Sequence, residues 1–157
     1  MEVFHHAYRL RKDLTDVLLR DFGMVNTSVT DEQREYYQWF IVNERNAITN
    51  ILRSLVGNLT MANAIFPTTI AECDERRIYQ DRALGNLAVL MQELQYVITT
   101  LPVNVNKYTN FVEPIRRETN LIKGWRKSDN AIRKKIEKEK RNIESTEVVK
   151  DEGLGTT

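Results

Sequence analysis

Apolar residues recur every three or four positions through most of this chain, and that spacing constrains the fold more than any other feature. A repeat close to 3.5 residues is typical of helices packed along a seam, whereas strands alternate with a period of two. The pattern is clearest in a second segment, about residues 31–66, and a third, about 68–101. Its positions are Ile41, Ile48, Leu52, Leu55, Leu59, Ala62 and Phe66 in the second segment, and Leu84, Leu87, Met91, Leu94, Ile98 and Leu101 in the third.

Two further segments, about residues 3–22 and 107–137, carry the same helical spacing. Their apolar positions are Ala7, Leu10, Leu14, Val17 and Leu18, then Tyr108, Phe111, Ile115, Ile122 and Trp125. Breaks separate the segments: Gly23 closes the first, and Pro67 and Pro102 end the second and third. Thr30 or Asp31 is suited to cap the second helix, and Pro114 is tolerated in the first turn of the fourth.

Short connections between four amphipathic helices favour antiparallel neighbours. The sequence therefore predicts an all-α protein with an up-down-up-down antiparallel four-helix bundle over residues 1–137. Residues 138–157 end in an acidic stretch with few large apolar side chains, and we expect this tail to be disordered.

Catalytic and metal-binding patterns are scarce. Cys73, the one cysteine, lies between the acidic residues Glu72 and Asp74, which raise the pKa of a thiol. His5 and His6 are the two histidines, and adjacent positions on a helix point about 100° apart, so they cannot chelate one metal together. We expect a protein that is not an enzyme and holds no metal and no cofactor.

The chain has no apolar stretch near the roughly 20 residues that span a bilayer, and its first residues do not resemble a signal peptide. These features and the single cysteine predict a soluble, cytoplasmic protein without a membrane partner.

Charge is unevenly distributed. Residues 1–114 carry a net charge of −3, residues 115–141 carry +7, and residues 142–157 carry −3. Such a block favours a polyanionic partner, although basic residues also stabilise helix C-termini without any partner. Because Ile115, Ile122 and Trp125 face inward, Arg116, Lys123 and Lys127 must face solvent. The candidate phosphate-binding residues on the fourth helix are Arg116, Arg117, Lys123, Arg126 and Lys127.

An aromatic run opens the second helix: Tyr36, Tyr37, Trp39 and Phe40. It is wider than one helical face can bury in a monomer, so we expect part of it to contact another subunit or partner. The alternative is that the first loop covers one or two of these rings. Near the start of the third helix, Asp81 is expected to meet Arg126 or Lys127.

These helices resemble the accessory variability determinant proteins of diversity-generating retroelements, which are similar to the ribosomal-RNA intervening-sequence four-helix proteins. The resemblance covers roughly residues 2–130. It is carried by EVFHHAYRLRKDL, NERNAITNILRSLVGNLTMANAIFP, RRIYQDRALGNLAVLMQELQYVITTLP and NLIKGWRKSDN, and its most specific parts are ALGNLAVLMQELQYV and Gly124-Trp125.

The resemblance implies a ring-like homopentamer that binds a reverse transcriptase and RNA or cDNA, and that supports mutagenic cDNA synthesis without catalysing it. Arg76, Arg77 and Arg82 on the third helix would join the fourth-helix residues as the nucleic-acid surface. The alternative from the residues alone is a helical protein–protein interaction module or phage regulatory component that does not bind nucleic acid.

Overall fold

The computed structural model describes residues 1–25 and 29–155, and helices contain most of them. Four helices are long: α1 (Glu2–Arg20), α2 (Asp31–Ala64), α3 (Ile70–Thr100) and α5 (Val112–Gly153). A short helix, α4 (Val105–Thr109), lies between α3 and α5. The described residues form no named strand, and Met24 and Val103 pair in an isolated antiparallel bridge. The chain is therefore all-helical, as predicted.

The four long helices pack as a square in which α1 contacts α2, α2 contacts α3, α3 contacts α5, and α5 contacts α1. Side-chain pairs show that neighbours run antiparallel. Asp81 of α3 meets Arg126 of α5, whereas the earlier residue Asp74 meets the later residue Arg133. The molecule is a four-helix bundle with the predicted up-down-up-down order.

Capping boxes begin two of the helices. Thr30 caps α2 together with Gln33, and Thr69 caps α3 together with Glu72; in each box two backbone N–H groups are satisfied reciprocally. The predicted cap at Thr30 is thus confirmed. Both helices end just before their prolines, at Ala64 and Thr100, because the residue preceding proline disfavours helical geometry.

The buried seam of α2 follows the prediction from Ile48 to Ala62, and all five of its apolar members are buried there. The two ends of the predicted seam are less buried than its middle. Ile41 is only partly buried, and Phe66 is 77% exposed because the chain has already left the helix at Ile65.

In α3 the buried face is wider than the predicted seam and extends to the row of residues one position earlier. Leu87 and Leu94 are buried, but Leu84, Met91 and Ile98 are only half-buried, and the positions just before them, Ala83, Leu90 and Val97, lie at the centre of the core. The cause is that α3 packs against both α2 and α5, so its buried sector spans two adjacent apolar rows.

The segment predicted as one helix over 107–137 is divided into α4 and α5, with Asn110 and Phe111 between them. Tyr108 of α4 is buried and donates its hydroxyl hydrogen bond to the carbonyl of Phe22. Gly23, at φ 71°, packs so close to Tyr108 that a Cβ atom there would lie 2.9 Å from its ring. The α4 helix therefore closes the bundle over the α1–α2 connection.

The predicted disordered tail is corrected for most of its length, since α5 continues to Gly153 and only residues 156–157 lie outside the described residues. Every side chain from Lys138 to Gly155 is exposed. The sequence here is rich in lysine and glutamate, which favour helix without tertiary packing. The division into domains at residue 137 stays a prediction, because α5 crosses it without interruption.

Candidate nucleic-acid interface

Arg76 belongs to the interior of the bundle rather than to a solvent surface. Its Nε lies 2.9 Å from Oδ2 of Asp129, its guanidinium lies 4.7 Å from the ring centroid of Trp125, and its Nη1 donates to the carbonyl of Ile65 at 3.1 Å. Gln80 completes this cluster by donating to Asp129 at 2.7 Å. The cluster ties α3 to α5, so Arg76 does not fit a phosphate-binding role.

Arg77 and Arg126 share one acidic partner, Asp81. Oδ1 of Asp81 lies 3.2 Å from Arg126, and Oδ2 lies 4.0 Å from Arg77. Arg77 also donates to Asn130 at 2.9 Å. The expected meeting of Asp81 with Arg126 is confirmed, and because one carboxylate faces two guanidinium groups, the three side chains together keep a net charge of +1.

Two more candidate arginines form ion pairs within the molecule. Arg116 pairs with Glu113 one turn earlier in α5, and Arg117 pairs with Glu2 of α1. Five of the eight candidates are thus paired with carboxylates of the same chain: Arg76, Arg77, Arg116, Arg117 and Arg126. The expectation that all eight form one nucleic-acid surface is corrected for Arg76, which lies in the interior of the bundle, and it stays a prediction for the other seven.

The remaining three candidates have no ion pair among the described residues. Lys123 and Lys127 are exposed on α5, and Arg82 is exposed on α3, with its guanidinium 5.3 Å from the ring centroid of Tyr79. The prediction that Lys123 and Lys127 face solvent is confirmed.

A row of cations continues along the same face of α5. We call it the basic stripe: Lys123, Lys127, Lys134, Lys138 and Arg141, all of them exposed. Steps of four, seven, four and three residues keep these side chains on one face, over about 27 Å at 1.5 Å per residue. Of the carboxylates on this part of α5, Asp129 is buried and paired with Arg76, and Glu137 is paired with Arg133. Lys134, Lys138 and Arg141 belong to the basic block that the sequence marks over residues 115–141, but they were not among the eight named candidates.

The aromatic run at the start of α2 is divided between core and surface. Phe40 is buried and packs edge-on against Tyr96, with centroids 5.3 Å apart, and Tyr37 is half-buried against the core. Tyr36 and Trp39 are 65% and 66% exposed. Of the four predicted interface residues, Phe40 is therefore corrected to a core residue, and Tyr36 and Trp39 are free to contact a partner.

Ionisable groups inside the bundle sit as isolated pairs. Nδ1 of His6 lies 2.9 Å from Oε2 of Glu118, whose pKa burial raises to about 8. Burial and the neighbouring Glu93 raise the pKa of Glu44 to about 7.

Cys73 is buried, and burial is the main cause that raises its pKa. Over residues 1–25 and 29–155, no three His, Cys, Asp or Glu side chains converge on a possible metal position.

The fold and these surfaces define a class: an all-helical bundle whose last helix exposes a linear row of cations. Comparison with protein-family models, curated proteins and solved structures finds no match to this chain. None of the described helices is both long enough and apolar enough to cross a bilayer.

Proposed function

We propose that this protein is a non-enzymatic, cytoplasmic nucleic-acid-binding bundle that contacts phosphates through the basic stripe of α5. The observation that carries the proposal is the row from Lys123 to Arg141, five exposed cations on one helix face with no ion pair among the described residues. Phosphate contacts require positive charge along a backbone rather than groups that read base edges. Binding of this kind has little sequence preference and depends strongly on salt.

The resemblance gives this activity a biological setting. We propose that the chain is an accessory protein of a diversity-generating retroelement, which binds the reverse transcriptase and its template RNA or cDNA during mutagenic cDNA synthesis. Assembly as a ring-like homopentamer is part of the same proposal. Exposed Tyr36 and Trp39 support the contact with the reverse transcriptase, because large exposed aromatic side chains are typical of interfaces.

RNA binding across a salt series tests the phosphate-binding role. The triple variant Lys123→Gln, Lys127→Gln, Lys134→Gln is expected to bind a single-stranded RNA at least about tenfold more weakly. The slope of its log affinity against log salt should be less negative than that of the wild type by about two, since each of the three phosphate contacts on a single strand contributes about −0.7 to the slope.

The matched control is Arg116→Gln, Arg117→Gln, in which both arginines are already paired with carboxylates. This double variant should reduce the affinity for RNA much less than the triple lysine variant does. Equal losses in the two variants, or a wild-type slope near zero, would contradict the proposal.

Light scattering tests the assembly. A pentamer has five times the 18.4 kDa mass of the chain, and a single species of 18.4 kDa at micromolar concentration would rule the pentamer out.

A helical protein–protein interaction module without nucleic-acid binding is the second candidate, favoured by the same exposed rings. It predicts that the lysine variants retain every activity of the protein and that only substitutions at Tyr36 or Trp39 reduce it.

A further inference from the structure

A second surface lies at the other end of the bundle from the extended half of α5. We call it the acidic-aromatic patch: Glu32, Glu35, Tyr36 and Trp39. Steps of three, one and three residues place these side chains on one face of α2, with Cβ atoms of i,i+3 and i,i+4 neighbours about 5–6 Å apart. The four side chains line a cavity of about 470 Å³.

The bundle does not need the exposed rings of this patch. Its core face in these turns is provided by Phe40 and Glu44, which lie on another side of α2. Helix capping is provided by Thr30 and Gln33. Tyr36 and Trp39 thus expose two aromatic faces beside two carboxylates without contributing to the buried core, and tyrosine and tryptophan are the residues that most often dominate binding energy at interfaces.

We infer that the acidic-aromatic patch binds a protein segment that presents arginine or lysine. Aromatic faces attract guanidinium and ammonium groups, and the neighbouring carboxylates complement the same charge. The patch repels phosphates, so it cannot serve the nucleic acid. The inference rests on the proposed function, because a protein partner that also handles nucleic acid carries basic surfaces of this kind, and it assigns that partner to a surface separate from the basic stripe.

The test uses the full chain and a fluorescently labelled tetra-arginine peptide, with binding followed by anisotropy. We expect Trp39→Ala to weaken binding about tenfold, and Glu32→Gln, Glu35→Gln to weaken it and to reduce its salt dependence. Tyr8→Ala is the matched control for the ring, because Tyr8 is 66% exposed on α1. Glu144→Gln, Glu147→Gln is the matched control for the charges, on the exposed end of α5.

The inference is overturned if Trp39→Ala binds the peptide as well as Tyr8→Ala does, or if the α5 control loses as much affinity as the patch variant. It is also overturned if Trp39→Ala lowers the mass of the protein without peptide, since the occupant is then a second copy of this chain. The same variants are assayed on single-stranded RNA. Loss of peptide binding with RNA binding intact supports the patch, whereas absence of RNA binding in the wild type refutes the proposed function and leaves the peptide result to stand by itself.

Discussion

Glu118 is fully buried between α1 and α5, and within residues 1–25 and 29–155 its side chain forms a hydrogen bond with His6 alone. Burial raises the pKa of Glu118 to about 8 and is the first cause that lowers the pKa of His6, followed by the charge of Arg117. At neutral pH both groups are therefore uncharged. A neutral carboxyl beside a neutral imidazole, joined by one hydrogen bond between Oε2 and Nδ1, avoids the cost of an ion pair away from water.

The pH dependence of stability follows from that protonation. The pKa of Glu118 is higher in the folded chain than its ordinary value of 4.5, so its stabilising effect is present below pH 4.5 and is lost as the pH rises through about 8. We expect urea unfolding to show a free energy that falls by a few kcal/mol, at about 1.4 kcal/mol per pKa unit, between pH 5 and pH 8. Glu118→Gln should reduce this fall, because the amide stays neutral, and the remainder comes from Glu44, whose pKa is also raised. Exposed Glu113→Gln is the control, and a Glu118→Gln profile parallel to the wild type would contradict the assignment.

Three glycines contribute to stability in opposite ways. Gly57 and Gly85 lie in the middle of α2 and α3, are exposed, and have no atom within 4 Å of a Cβ position. Alanine at either site should stabilise the chain by about 0.5–1 kcal/mol, since it restricts the unfolded chain and favours helix. Gly23→Ala should destabilise it, because φ is positive and Tyr108 occupies the space. Thermal unfolding of the three single variants measures both signs, and a destabilised Gly85→Ala would show that something else contacts that face.

At the scale of the helices, spacing along the sequence predicted which segments fold and how they run, because 3.5-residue periodicity is a local property. It also predicted the meeting of Asp81 with Arg126. When the turn between two antiparallel helices is short, its length fixes which residues of the two helices lie side by side. It could not predict that Glu2 would pair with Arg117, because that contact joins residues 115 positions apart. Whether an arginine forms an ion pair with a carboxylate of the same chain therefore depended on tertiary structure, which the spacing along the sequence does not give.

Trp125 joins three of these helices and tests their packing. Its ring contacts Phe4 of α1 edge-on, with centroids 5.8 Å apart, and stacks under Arg76 of α3. Trp125→Ala should cost about 3–5 kcal/mol, the range for large aromatic truncations in a core. Urea unfolding provides the measurement, with exposed Trp39→Ala as the control at under about 0.5 kcal/mol. A loss for Trp125→Ala no larger than the control's would show that the α1–α3–α5 contact is not formed.

Across the whole molecule, the small net charge of +1 conceals a separation of charge along the bundle. The acidic-aromatic patch occupies the first turns of α2, and the stripe ends on the part of α5 that continues past the α2–α3 connection. Counting helix rise along α2 and its antiparallel neighbours places Lys123, the near end of the stripe, about 30 Å from the patch. Neither surface is apparent from the total charge: each follows from spacing along one helix, and the distance between them follows from which helix ends meet.

This separation predicts that the two surfaces bind independently. Salt near 0.15 M screens charges beyond about 8 Å, so RNA on the basic stripe should not change the electrostatic potential at Trp39. We expect the affinity of the tetra-arginine peptide, measured in the presence of saturating short RNA, to stay within about twofold of its value without RNA. The RNA must be too short to reach both surfaces, and binding of the peptide to the RNA itself is measured in a titration without protein and subtracted. Competition between the two ligands would mean that they share one surface, and it would contradict the assignment of the patch and the stripe to different partners.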